Sequence, residues 1–425
     1  MIEWESLTIV TIFRKGAIAC SALLLLLGSV PANATSASPA KTTIMLDDYP
    51  LSFPIEPTVI NGTTMVPFRV ISEALRINVV WNGAAKTITA TKAVGGQSKQ
   101  VTLRLNDKKA FVGGQSALLN VAPISKGGYT LVPLNFFSSQ FGAQVSWDGK
   151  THTVDIRSPR EDMYTVGFYA TSSFKEIRYV PAFDSVAFGW TRIDDEGRIT
   201  LQGESFFWPK PAGEITPEKI VDDVTADGSS PFLMVFGTDG KGQLTKMLTD
   251  EALRTQAIDT VMKLAADNGF QGITLDFEGL GWSGDIDLAK KTTTEFVRML
   301  SEQAKPAGLK LSLAVHPLNG AYHGYDYKAL AKYADELIVM AYPYEGEKGP
   351  EPMDRVDQAI RMALKEVPKE KLVLGISFGS EKAESVNAKI GLAKRYSLKG
   401  IAIWRIGIIG EAAMKQMERT ITMNS

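Results

Sequence analysis

Beyond residue 163 the chain alternates between two hydrophobic periods. Short apolar runs bounded by glycine or polar residues read as buried strands. The longer segments between them carry apolar positions at three- and four-residue spacing, as amphipathic helices do. The runs predict eight strands: Tyr164 to Tyr169, Asp184 to Gly189, Pro231 to Phe236, Gly272 to Phe277, Lys310 to Val315, Glu336 to Ala341, Leu372 to Ser377 and Gly400 to Trp404. Thr249 to Asn268 and Ile286 to Lys305 are two of the intervening helices. Such alternation implies a parallel sheet, and eight units over residues 163–425 predict an α/β fold closed as a (β/α)8 TIM barrel. Extra material separates the second and third strands. It reads as a hairpin over Trp190 to Leu201, turning at Asp194-Asp-Glu-Gly197, and a helix over Pro217 to Val224.

The preceding part is patterned differently. Thr64-Met-Val-Pro-Phe-Arg-Val-Ile-Ser-Glu-Ala-Leu, Val79-Val-Trp-Asn-Gly83 and Thr87-Ile-Thr return at a constant offset. The second set is Thr130-Leu-Val-Pro-Leu-Asn-Phe-Phe-Ser-Ser-Gln-Phe, Val145-Ser-Trp-Asp-Gly149 and Thr153-Val-Asp. Each copy predicts a strand, a proline at a helix start, a short helix and a hairpin turning at Asn-Gly or Asp-Gly. A smaller duplicated α+β domain over residues 42–157 is the result, with Arg157 to Asp162 as linker. Trp81 and Trp147 recur at equivalent points and are expected to cap a small core, with a ligand platform as the alternative.

Composition bounds the partners. The formal net charge of −1 gives no footprint for nucleic acid or an anionic membrane. His152, His316 and His323 are the only histidines and have no metal-ligand spacing, so they read as surface or packing residues. Neither a metal nor a cofactor is expected, and the chain is expected to be a monomer. Residues 1–34 combine Arg14 and Lys15, an apolar stretch from Gly16 to Val30, and Ala32-Asn-Ala34, the parts of a secretory signal peptide. Export with cleavage near Thr35 is expected, with an uncleaved anchor as the alternative. Cys20, the only cysteine, lies inside that stretch, so the mature chain would have no thiol chemistry.

The candidate chemistry lies on the fourth predicted strand. Side chains alternate along a strand, so Thr274, Asp276 and Glu278 share one face and Ile273, Leu275 and Phe277 the other. Two carboxylates on an otherwise apolar strand are costly unless paired, hydrogen-bonded or used. They sit at the C-terminal end, where barrels gather catalytic groups. The same alternation puts Met340, Tyr342, Ala402 and Trp404 on the barrel-facing register. Acids, a phenol and an indole over a barrel mouth suit a sugar. Glu278, nearest the cleft, is the natural general acid, and Asp276 would keep it protonated. Trp190, Trp208 and Trp282 are candidate sugar platforms or loop-packing residues, and Tyr169 is a further substrate-binding candidate. Gly237-Thr-Asp-Gly-Lys-Gly242 lacks a phosphate-loop ending and reads as a cleft loop.

These motifs resemble the family 18 glycoside hydrolases. That family's Asp-x-x-Asp-x-Asp-x-Glu stands here as Gln271-Gly-Ile-Thr274-Leu-Asp276-Phe-Glu278, with only the last two acids kept. Its Met-x-Tyr-Asp is Met340-Ala-Tyr342-Pro343. Its terminal Trp is Trp404, and Lys371 to Gly375 and Tyr325 to Asp335 are also similar. Within the family, the cell-wall and spore-peptidoglycan hydrolases look closest. The repeat resembles the copper amine oxidase N-terminal-like domain, a module of secreted proteins from Gram-positive bacteria; nothing in it could hold copper.

The resemblance implies retaining, substrate-assisted hydrolysis of β-1,4-linked N-acetylated glycans, peptidoglycan ahead of chitin, by a secreted or wall-associated protein. Asp276 would orient the acetamido group, Tyr342 would bond its carbonyl and Trp404 would floor the site, with Thr274 and Met340 beside the sugar. Two departures matter: Thr274 in place of the inner acid would lower activity or shift its pH optimum, and Pro343 would remove a further polar contact to the sugar. The short link between strands seven and eight implies a shallow, open groove. A non-catalytic wall-glycan-binding protein is the alternative, and a structural envelope protein a third; the retained Glu278 separates the first reading from the second.

Overall fold

A computed structural model describes residues 42–344 and 348–424; the predicted signal segment lies outside them. Eight parallel strands form the core of the C-terminal half: β1 (Tyr164–Ala170), β2 (Ser185–Ile193), β3 (Ser230–Thr238), β4 (Gly272–Glu278), β5 (Lys310–Val315), β6 (Glu336–Val339), β7 (Leu372–Ser377) and β8 (Gly400–Trp404). Each pairs with the next, and β1 pairs with both β2 and β8, so the sheet closes as the predicted (β/α)8 TIM barrel. Asp276 lies in register with Phe236 on one side and Ala314 on the other.

Alternation sorts the strands into two layers. Val166, Phe168, Met234, Ala314, Ile338, Met340 and Val373 fill the interior. Ile273, Leu275 and Phe277 face outward onto helices such as Glu251–Asp267 and Ile286–Ala304. Asp250 and Asp285 start those two helices by accepting hydrogen bonds from backbone N–H groups of the first turn.

Of the strand ends that differ from the sequence pattern, two bear on the site. β2 continues past Gly189 to Ile193 through a register shift between Phe188 and Thr191, and then pairs with Ile199–Thr200 as the predicted hairpin. β6 ends early, at Val339. There Met340 N donates to Val315 O and Ala341 N to Val339 O, and the chain leaves the ladder.

The N-terminal repeat is built from mainly antiparallel strands, with Thr43–Leu46 parallel to Thr153–Arg157, and two short helices, Phe68–Ala74 and Leu134–Gln140. The two copies meet through Thr63–Pro67 and Tyr129–Pro133, with Val66 opposite Val132. Contrary to the core-capping expectation, Trp81 and Trp147 are 40% and 52% exposed. The repeat and the barrel form one compact unit. Helix Val386–Arg395, between β7 and β8, carries much of the contact. The Arg395 guanidinium donates to Leu46 O and Tyr49 O, and Asn387 Nδ2 donates to Asp48 Oδ2 at 2.8 Å. Within the segment read as linker, Glu161–Asp162 pairs in parallel with Ile421–Thr422 as a separate two-stranded ribbon, and Glu161 pairs with Lys92 and Arg76 of the repeat.

Candidate active site

The site begins with the buried face of β4. Thr274 and Asp276 are each only 1% exposed, and Glu278 is half-buried at the strand end. Among the described residues Thr274 Oγ1 and Asp276 Oδ1 have no hydrogen-bond partner, nor has Ser312 Oγ, whose residue is in register with Thr274 on β5. Burial therefore acts on these groups uncompensated. It raises the proton affinity of Asp276 well above the usual carboxylate range, and the neighbouring Glu278 charge raises it further. Burial raises Glu278 as well. The two carboxyls act as one coupled pair that resists carrying two charges.

Tyr342 comes to the same place from β6. The early end of that strand turns its ring into the interior layer with Met340. Burial, then the charges of Asp276 and Glu278, hold its phenol well above the ordinary range, so it is a hydroxyl donor at any working pH. Gly375 on β7 makes room for the ring: a Cβ there would lie 3.0 Å from Tyr342 Cε1 and 2.9 Å from Val339 O. From β8, Trp404 packs against Phe168 (centroids 5.4 Å apart) and Phe206 (6.0 Å), and Phe206 lies 4.3 Å from Phe236. One aromatic wall thus faces the acids.

The loop after β4 is fixed from below. Tyr325 Oη donates to Phe277 O at 2.6 Å, and Asp239 N donates to Glu278 O at 2.9 Å. Gly281, at φ +73°, has no room for a side chain, since a Cβ would meet Gly324 N at 2.4 Å. Gly279 N donates to His316 Nε2 at 3.4 Å. Burial lowers the His316 pKa to about 4, so the ring is neutral and can accept that bond. Tyr322 stacks on His316 at 4.1 Å, and Trp282, 61% exposed, lies 5.5 Å beyond it. These rings and Asn319, Tyr344 and Arg355 line a groove of about 530 Å3. Arg355 lies over the Tyr344 ring at 4.1 Å and donates to Asn319 O.

Six of the sequence-predicted residues, Glu278, Asp276, Thr274, Tyr342, Met340 and Trp404, are thereby brought to the barrel interior, and Trp282 stands on the adjoining rim. Two are corrected. Tyr169 faces outward because Phe168 and Ala170 on either side of it face inward, and it packs on Phe188 at 5.0 Å beneath the helices. Trp190 is fully buried in the extended β2, in the same outer layer, against Phe188, Trp208 and Phe270. Neither can reach a sugar, and Trp208, packed with them, is a partner of that layer.

The sequence pattern does not single out Tyr322, Arg355 or the Phe168–Phe206–Phe236 wall, and it gives His316 only as a surface or packing residue. His316 carried a signal, since it continues the inward register of Ser312 and Ala314. Phe206 carried none, because it belongs to an irregular insertion. Among the described residues no cluster of three or more His, Cys, Asp or Glu could hold a metal ion.

Comparison with known proteins agrees with this geometry. The chain is 25% identical over 170 residues to a putative sporulation-specific glycosylase, YdhD, of Bacillus subtilis, covering 38% of this chain and 37% of that protein. It is 27% identical over 139 residues to the cortical fragment-lytic enzyme of the same species, covering 30% and 31%. The matched segment thus spans about a third of the length of each curated relative. The crystal structure of a chitinase from Chromobacterium violaceum shares the fold, with TM-score 0.50 at 20% identity over 61% of this chain and 98% of that one. The family model of the copper amine oxidase N-terminal domain matches residues 45–156. The model of glycosyl hydrolases family 18 matches residues 165–415, more than half of the chain, and the protein belongs to that family.

Proposed function

We propose that the barrel hydrolyses β-1,4-linked N-acetylated glycans with retention, peptidoglycan ahead of chitin, using the substrate's own 2-acetamido oxygen as nucleophile. The observation that carries this reading is the coupled pair Asp276 and Glu278, both with raised proton affinity, beneath a mouth walled by aromatic rings. Glu278 gives its proton to the glycosidic oxygen as the bond to the anomeric carbon breaks. The acetamido oxygen bonds to that carbon from the other face, closing a cyclic oxazolinium. Asp276 accepts a hydrogen bond from the acetamido N–H, and the Tyr342 hydroxyl donates to its oxygen. Water then attacks the anomeric carbon, its proton returns to Glu278, and the ring reopens. Trp404 lies under the sugar at the point of cleavage.

Peptidoglycan is favoured by Arg355. Its guanidinium is stacked in the groove where a neutral chitin chain has no use for it and a lactyl or stem-peptide carboxylate would. The relatives named for sporulation and cortical-fragment lysis point the same way. Export to the wall is part of the proposal and rests on the leader pattern of residues 1–34. The test is reducing-sugar release from purified peptidoglycan and chitin. Glu278→Gln should lower the rate by about 10²–10⁴-fold while glycan binding survives. Glycan binding without release by the unmodified protein would leave only the binding role.

A further inference from the structure

The pair of strands joining the two repeat copies is a local pseudo-twofold axis. Val66 faces its own equivalent, Val132, while Met65 faces Pro133, the equivalent of Pro67, and Pro67 faces Leu131, the equivalent of Met65. The same operation relates two cavities. One, of about 580 Å3, joins the helix start at Pro133 to Phe136 and Trp147 of the second copy to the Gly62-Thr63-Thr64 turn of the first. The other, of about 290 Å3, joins Pro67 to Val70 and Trp81 of the first copy to Gly128-Tyr129-Thr130 of the second. Equivalent residues build both, so the cavities are products of the duplication.

Each indole is set in place by its own hairpin. Its ring nitrogen would be 3.4 Å from a Cβ on Gly149 in the case of Trp147, and 3.5 Å from one on Gly83 in the case of Trp81. The remaining surface of each ring is open at the cavity edge. A ring held on one side and open on the other gives up little freedom when a ligand stacks on it.

The two cavities differ in charge. Among the described residues no charged side chain lines the larger one; its polar rim is made of hydroxyls and amides, among them Thr63, Asn120, Asn135, Gln140 and Ser146. In the smaller cavity Arg69 and Glu73 occupy the places of Asn135 and Ser139. An indole beside neutral donors and acceptors matches a pyranose, whose C–H face stacks and whose hydroxyl or acetamido groups hydrogen-bond at the rim. An ionic ligand would find no counter-charge there.

We propose that the Trp147 cavity is a carbohydrate-binding site for uncharged saccharide units of a glycan chain, separate from the barrel mouth, with the Trp81 cavity as its weaker relative. The site does not depend on the barrel being a hydrolase.

The full chain carrying Glu278→Gln keeps the glycan intact and can be titrated calorimetrically with oligomers of N-acetylglucosamine. Two classes of site are expected. Adding Trp147→Ala should weaken one of them about tenfold or more and leave the other. Trp147→Phe should retain much of it. Asn135→Asp, an exposed change that spares the ring, should weaken the same class. Raising the salt concentration should leave that class unchanged, because no charge takes part. With Glu278 present, Trp147→Ala should reduce co-sedimentation with insoluble glycan without altering kcat or KM on a short soluble oligomer. The proposal is overturned if Trp147→Ala and Asn135→Asp both titrate like their parent, or if the class they affect weakens steeply with salt.

Discussion

Replacing Asp276 by Asn should abolish most activity and yet make the barrel more stable, by a margin that grows with pH. Asp276 is buried, its Oδ1 is unpartnered, and burial and then Glu278 raise its proton affinity. A carboxyl whose folded pKa lies above its unfolded value of about 3.9 holds its proton more tightly in the folded state. Its contribution to stability is fully present below that unfolded value and is lost as pH rises through the folded pKa. Each unit of elevation corresponds to about 1.4 kcal/mol. About 1 kcal/mol moves the melting temperature of a domain this size by roughly 2–4 °C. Asn keeps the shape and cannot ionise, so it escapes the loss. Thermal melts of the two proteins should coincide near pH 4 and separate by several degrees at pH 8, the variant melting higher. Reducing-sugar release should fall about a hundredfold or more, because on the proposed mechanism the acetamido group loses the acceptor that orients it. A variant that melts lower at pH 8, or a gap that does not change with pH, would refute the reasoning. Either result would mean that ionised Asp276 is stabilised by partners the structure does not place beside it.

Three further outcomes follow from the packing. Gly375→Ala should displace the Tyr342 ring, lowering kcat more than it changes KM and costing about 1–3 kcal/mol in denaturant unfolding, since the new methyl meets backbone as well as the ring. Trp190→Ala should destabilise by about 3–5 kcal/mol, whereas Trp282→Ala should leave the melt unchanged and raise KM; similar melts for the two variants would contradict their placement. Arg355→Ala should raise KM about tenfold on peptidoglycan fragments bearing carboxylates and leave neutral oligomers of N-acetylglucosamine unaffected. Equal effects on both substrates would remove Arg355 from glycan selection.

How much of this was legible in the sequence depends on what a local pattern can encode. The face on which Asp276, Glu278, Tyr342 and Trp404 lie is set by two-residue alternation on short strands, so the pattern reported it. Tyr169 was misplaced against that same rule, since its neighbours Phe168 and Ala170 take the inward positions. Trp190 could not have been placed this way, because the register shift between Phe188 and Thr191 depends on how β2 pairs with β3. The groove of Trp282, Tyr322, His316 and Arg355 is assembled by the segments that follow three different strands, Arg355 from the first turn of helix Met353–Glu366, and no window along the chain contains it. Periodicity reports the side of a strand, whereas depth and company are set by contacts between distant segments.

The Thr274 departure joins the two levels. The sequence shows that an acid is missing from the family pattern at that position, and the geometry shows the consequence. Among the described residues Thr274 Oγ1 lies unpartnered below Asp276, as does Ser312 Oγ on the next strand, and Asp276 Oδ1 has no donor. An acid at 274 would give Asp276 a second carboxyl with which to share a proton. Here the carboxylate it feels is Glu278. The proton state of Glu278, the proposed general acid, is therefore governed by a two-member pair rather than a three-member chain. Such a pair loses its protons in two macroscopic steps, and the first of them sets the charge at which Glu278 can still donate. The substitution that weakens the resemblance to the family pattern thus makes the acid–base behaviour of this barrel the simpler one to read, because the pH profile of hydrolysis and the pH dependence of stability report on the same two carboxyls.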